Sequence, residues 1–147
     1  VSDRYDYAVI DCHPSMQLPT IAALIAADEL LIPCNADAFG QEGLDNMIGY
    51  LQQIKEHYNA SLQFHVLITM YTNTRLQQKQ LAYLAEKNPF PLIPTAISFQ
   101  HDAVCSSHAA RKPLSKHRST NAATLDYQNL AEEVAALLEQ EGEMTNA

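Results

Sequence analysis

Glycine is scarce in this chain: there are four, Gly40, Gly43, Gly49 and Gly142, none next to another and none followed by lysine. A phosphate cradle made of consecutive backbone N–H groups and a lysine needs the opposite arrangement, so these 147 residues hold no such loop. Cysteine is scarcer still. Cys12, Cys34 and Cys105 are odd in number, widely spaced and form no CxxC pair, which argues against a disulfide framework and fits reduced thiols. No apolar run is long enough to span a bilayer, and no charged-then-apolar leader opens the sequence, so a cytoplasmic protein is the expectation. Positive charge is also short, with nine Lys and Arg against 17 Asp and Glu. The net charge of -8 excludes a surface that is basic all over, as a dedicated nucleic-acid coat would be.

What remains is enough for one domain with a core, since 47% of the residues are hydrophobic. The basic residues it does have are unevenly spread. Arg111, Lys112, Lys116 and Arg118 fall within eight positions, whereas the stretch from Asp126 onward carries six acids and no base. That run reads either as a solvated loop or as one local basic patch on an acidic protein.

Tyr7-Ala8-Val9-Ile10-Asp11-Cys12-His13-Pro14-Ser15 is an apolar run that ends on a carboxylate and turns through a proline. It predicts a buried parallel strand over 7–11, with Asp11 at the carboxyl end where ligands collect. The chain begins at Val1 and enters this strand almost at once, so an upstream segment is expected. Further along, the pattern predicts a helix over 19–27 with Pro19 in its first turn, and a strand over 29–33. A helix over 41–58 follows, with Leu44, Met47, Ile48, Leu51 and Ile54 on one stripe. A strand over 62–71, a polar turn at 72–74 and a helix over 75–87 come next. A strand over 92–97 contains Pro94, which suggests an edge or a bulge. Residues 98–119 show no period and hold three of the six histidines, and a helix over 122–141 closes the chain. Alternating strands and helices predict an α/β fold, a doubly wound, mostly parallel sheet with helices on both faces.

These residues resemble the ParA/Soj family of partition ATPases over nearly the whole chain. Tyr5-Asp6-Tyr7 with Val9 to Ser15 resembles the family's Y-D-Y-h-h-I-D-x-P-P-S, and Thr20 to Leu24 with Ala26-Ala27-Asp28 resembles T-x-x-A-L-x-A-A-D. Leu31-Ile32-Pro33, Gln41-Glu42-Gly43-Leu44 and Leu67 to Tyr71 with Arg75 resemble the L-I-P, L-E-G-L and L-T-M-Y-D-x-R segments. His108 to Pro113 resembles an S-H-G-K-P turn. The resemblance implies a P-loop NTPase-like fold, incomplete at the N-terminus, of which residues 1–147 form the C-terminal part. It implies that Asp11 is catalytic and holds Mg through water, and that Pro14, Ser98 and Phe99 contact ATP. It also implies a homodimer that binds DNA nonspecifically through Arg75, Lys79, Arg111 and Lys112. A centromere-binding, ParB-like partner, nucleoid association and no membrane contact complete the expectation, because the acidic tail excludes a basic membrane helix.

Three positions depart from the family pattern: His13 replaces its first proline, Ser98-Phe99-Gln100 replaces P-R-N, and the phosphate loop is absent. ATP and Mg would therefore need the missing N-terminal segment, and the chain alone should hydrolyse no ATP. The rival reading is a loop-less, non-catalytic module for dimerisation or localisation. Asp11 also reads as a strand-end acid with only local hydrogen bonds. A metal site from Cys12, His13, Cys34, His101, Asp102, Cys105 and His108 matches no standard ligand spacing, and adjacent Cys12 and His13 on a strand would point to opposite faces. Neither metal binding nor thiol catalysis is assigned.

Overall fold

The computed structural model describes residues 4–145. The first three residues and the last two of the acidic tail lie outside it. The elements are α1 (Leu18–Ala26), β1 (Glu29–Asn35), α2 (Ala38–His57), β2 (Gln63–Thr69), α3 (Arg75–Lys87), α4 (His101–Ala109), α5 (Leu114–His117) and α6 (Ala122–Thr145).

The fold is α/β around a parallel sheet. β1 and β2 pair in parallel from Glu29↔Gln63 to Asn35↔Thr69. A third segment joins the other edge of β2 through parallel bridges at Val66↔Leu92 and Tyr71↔Ser98. Its backbone bonds at the near end are Val66 N–H to Pro91 O and Ile93 N–H to Val66 O, both 2.9 Å. At the far end, Ile97 N–H reaches Ile68 O at 2.8 Å and Phe99 N–H reaches Tyr71 O at 2.9 Å. The step from Val66 to Tyr71 is five residues and that from Leu92 to Ser98 is six, so one extra residue bulges out. Pro94 has no N–H to give the ladder, and the predicted continuous strand over 92–97 is accordingly broken into two contacts.

Alternation along the strands divides the core into two faces. Ile32 and Cys34 of β1 and Phe64, Val66 and Ile68 of β2 pack with Leu24, Leu44, Leu51, Ile54 and Leu84 from α1, α2 and α3. On the opposite face, Leu31 and Leu67 meet Ile93 and Ile97, covered by Leu130 and Leu137 of α6. Helices therefore lie on both faces, as the sequence pattern requires. A partly buried ion pair, His65 Nδ1 to Glu29 Oε2 at 2.9 Å, closes the amino end between β1 and β2.

The predicted strand over 7–11 is not formed. Tyr7, Val9 and Ile10 are exposed, Val9 by 96%. A parallel strand is held by ladders and by two covered faces, and among the described residues no ladder partner lies beside this one. Two helices lie close to expectation: α3 spans the predicted residues, and Pro19 sits in the first turn of α1. α2 starts three residues early because Asp37 caps it, accepting the Gly40 N–H at 2.7 Å.

Of Gly40, Gly43 and Gly49, only Gly40 has no room for a side chain. A Cβ there would run into the carbonyl oxygen of Asn35 and come 3.0 Å from Cys34 Sγ, whereas at Gly49 it would meet nothing within 4 Å. Gly40→Ala should cost about 2 kcal/mol or more, because backbone must shift. Gly49→Ala should instead stabilise by about 0.5–1 kcal/mol. Urea unfolding of the two variants checks both signs.

Candidate functional site

Ligand sites in open α/β sheets form beyond the carboxyl ends of the strands. Here that edge gathers three loops: residues 35–37 after β1, 70–74 after β2 and 98–100 after the third segment. Thr69 Oγ1 donates to Asn35 Oδ1 at 3.2 Å, joining the first two. The loop after β2 turns twice through left-handed backbone, at Met70 (φ 53°) and Asn73 (φ 55°). The first turn of α3 holds that loop. Gln77 Oε1 accepts from Thr72 N and Oγ1, both at 2.8 Å, and Gln78 Nε2 donates to Asn73 Oδ1 at 2.8 Å.

α6 fixes the third loop. Asp126 Oδ2 accepts the Ser98 N–H at 2.8 Å. Two turns later, Glu133 accepts from Thr95 N at 3.2 Å and from Thr95 Oγ1 at 2.8 Å. Sequence reading singles out neither acid. The seven-residue spacing, which puts both on one side of the helix, is the only signal for them.

Asp11 is exposed on the unpaired N-terminal run. Pro14 is exposed beside a turn in which His13 and Ser15 contact each other at 3.0 Å, and Thr20 Oγ1 ties that turn down by donating to His13 O at 3.2 Å. Ser98 has its N–H committed to Asp126, and the Phe99 ring lies 6.2 Å from that of His101. Among the described residues no hydrogen bond or ion pair joins Asp11 or Pro14 to Ser98 or Phe99. No described glycine has positive φ, and the described residues contain no glycine-rich, lysine-bearing loop. The described residues thus supply an acid and an aromatic surface but not the phosphate seat that ATP and Mg require, and no hydrolytic step follows from them alone. Nor do three His, Cys, Asp or Glu side chains converge as a metal set among them.

The basic candidates sit on two elements. Arg75 and Lys79 are exposed on α3, and Arg111 and Lys112 are exposed in the turn after α4. None of the four has an ion-pair partner among the described residues, whose three ion pairs are His57–Glu56, His65–Glu29 and Lys87–Glu86.

Comparison with known proteins decides what this frame belongs to. The AAA domain family matches residues 1–64. The Bacillus subtilis sporulation initiation inhibitor protein Soj is 32% identical over 142 residues, covering 92% of this chain and 54% of the relative. The Treponema pallidum chromosome-partitioning ATPase Soj matches with the same identity and coverage. The chain is ParA/Soj-like. The crystal structure of a plasmid partition protein from Borrelia burgdorferi shares the fold, with a TM-score of 0.62 at 22% identity, over 92% of this chain and 47% of that one. This ParA/Soj-like chain therefore spans about half the length of the curated relatives it matches. Among its described residues no helix is long and apolar enough to cross a membrane.

Two outcomes test the site's wiring. Glu133→Ala should cost about 1.5–3 kcal/mol, the worth of hydrogen bonds to a charged acceptor, measured by urea unfolding. Burial, and then the nearby Asp37 carboxylate, push the Cys34 thiol up, while Cys12 and Cys105 are exposed. The thiolate is the reactive form, so at neutral pH a disulfide reagent should titrate two thiols quickly and Cys34 only after unfolding or at strongly alkaline pH.

Proposed function

We propose that this chain is the C-terminal part of a ParA-like ATPase that partitions plasmid or chromosomal DNA. The observation that carries the reading is the likeness to Soj proteins across 92% of the chain, together with the AAA domain match over residues 1–64, which contain Asp11. In this reading a phosphate loop elsewhere in the complete protein binds ATP. Asp11 then holds Mg through water, and Pro14, Ser98 and Phe99 border the nucleotide. Bound nucleotide drives homodimerisation. The dimer lies on nucleoid DNA through Arg75, Lys79, Arg111 and Lys112 and responds to a centromere-binding partner. Contacts of that kind go to phosphates and carry no sequence information.

The alternative reading is a loop-less relative that dimerises or localises without hydrolysis. Nucleotide titration of the complete natural protein separates the two. The ATPase reading expects ATP hydrolysis that Asp11→Ala lowers by about a hundredfold or more, as loss of a transition-state stabiliser does, together with ATP-dependent dimerisation. It also expects duplex binding whose log–log salt slope is about -3.6 for each protomer whose four cations all meet phosphates. If ATP changes neither oligomeric state nor DNA binding, the module reading stands and the assignment of Asp11 falls.

A further inference from the structure

α4 commits little of itself to the core. Ser107 is its one buried residue, while His101 and Cys105 are exposed. The two stand four residues apart, a spacing that sets one side chain above the other on a single helix face. Here they meet. Cys105 Sγ lies 3.6 Å from His101 Nε2 and 3.9 Å from Nδ1, and that sulfur has no other hydrogen-bond partner among the described residues. The other two thiols differ. Cys34 is buried and donates to Asn35 O at 3.3 Å, and Cys12 has no hydrogen bond to an imidazole among the described residues.

A thiol and an imidazole so placed match the bite of a soft divalent cation. In a tetrahedral zinc site the Zn–S bond is about 2.3 Å and the Zn–N bond about 2.0–2.1 Å, which sets sulfur and nitrogen about 3.5 Å apart. The observed 3.6 Å needs almost no adjustment. Both side chains face solvent, so a cation reaches them without opening the core, and the ring is free to turn its lone pair onto it. The helix backbone fixes the two Cα positions before any metal arrives.

We propose that His101 and Cys105 form a two-point clip for one soft divalent cation of the zinc type, with water in the remaining positions. On binding, the Cys105 S–H bond breaks, its proton goes to solvent, and the thiolate takes the metal beside the neutral imidazole. Thiolate and imidazole select zinc or cobalt over magnesium, which prefers oxygen ligands. The clip is therefore independent of the Mg position expected at Asp11, and the failure of either leaves the other standing. Half the ligand set of a structural zinc site gives about half its binding free energy, so a dissociation constant between about 1 and 200 µM follows.

The test is a titration of the reduced full chain with Co²⁺, followed by displacement with Zn²⁺. A thiolate-to-cobalt charge-transfer band in the near ultraviolet should saturate at one metal per chain, disappear on adding zinc and withstand excess Mg²⁺. Cys105→Ala should abolish the band, and His101→Ala should weaken cobalt binding about tenfold or more. Cys12→Ala should change neither band nor affinity. Both clip positions are exposed and helical, where alanine is favoured, so the metal-free variants should melt within about 2 °C of the unaltered chain. Cys105→Ser, which keeps the size without the thiolate, should lose the band as well. Absence of a band in the unaltered chain overturns the clip, as does a band that survives Cys105→Ala or Cys105→Ser. Unchanged cobalt affinity in His101→Ala also overturns it, since the thiolate would then bind alone and the 3.6 Å contact would be a hydrogen bond only.

Discussion

Burial of β2 on both faces and along both edges is the constraint on which the rest depends. Val66 is fully buried; it pairs with Ile32 of β1 on one side and bridges Leu92 on the other. Phe64, Val66 and Ile68 face α1, α2 and α3, while Leu67 faces α6. A strand so enclosed can satisfy its backbone only through its neighbours, which fixes the register of β1 and of the third segment. Once those registers are set, the loops after all three must emerge together at one edge. The same packing puts a polar group at each exit: Asn35, Thr69 and the N–H of Ser98.

This dependence explains which elements could be read in the sequence. β2 is legible because Val66-Leu67-Ile68, its part covered on both faces, reads as an unbroken apolar run. α3 is legible because Thr74 caps it, accepting from Gln77 N at 3.3 Å, and polar residues precede it. The run over 7–11 carries the same apolar signal as β2 and forms no strand, since apolar content states a demand for neighbours and does not supply them. α4 escaped notice for the opposite reason. It buries only Ser107, so it has no apolar stripe to betray it. The break at Pro94 was legible as a bulge or an edge, but not the transfer of the Thr95 N–H to Glu133, which depends on where α6 lies.

The candidate site divides in the same way. Asp11 and the basic residues stand out by type and position, and the likeness to Soj gives them a context. The residues that organise the carboxyl edge, Asp126, Glu133, Gln77 and Gln78, are ordinary polar positions of helices in the sequence. Their roles come from contacts made with loops 5 to 38 residues away. Such partners have no local signature, because the hydrogen bonds that define them form only after the sheet and its helices have docked.

The bulge at Pro94 has a mechanical consequence. Because the third segment is one residue out of step with β2, its middle is tethered to α6 through Glu133 and Thr95, and Asp126 adds a second tether at Ser98. The last helix and the loop at residues 98–100 are therefore joined through two carboxylates, so the front edge of the sheet is held from α6 as well as from its own strands.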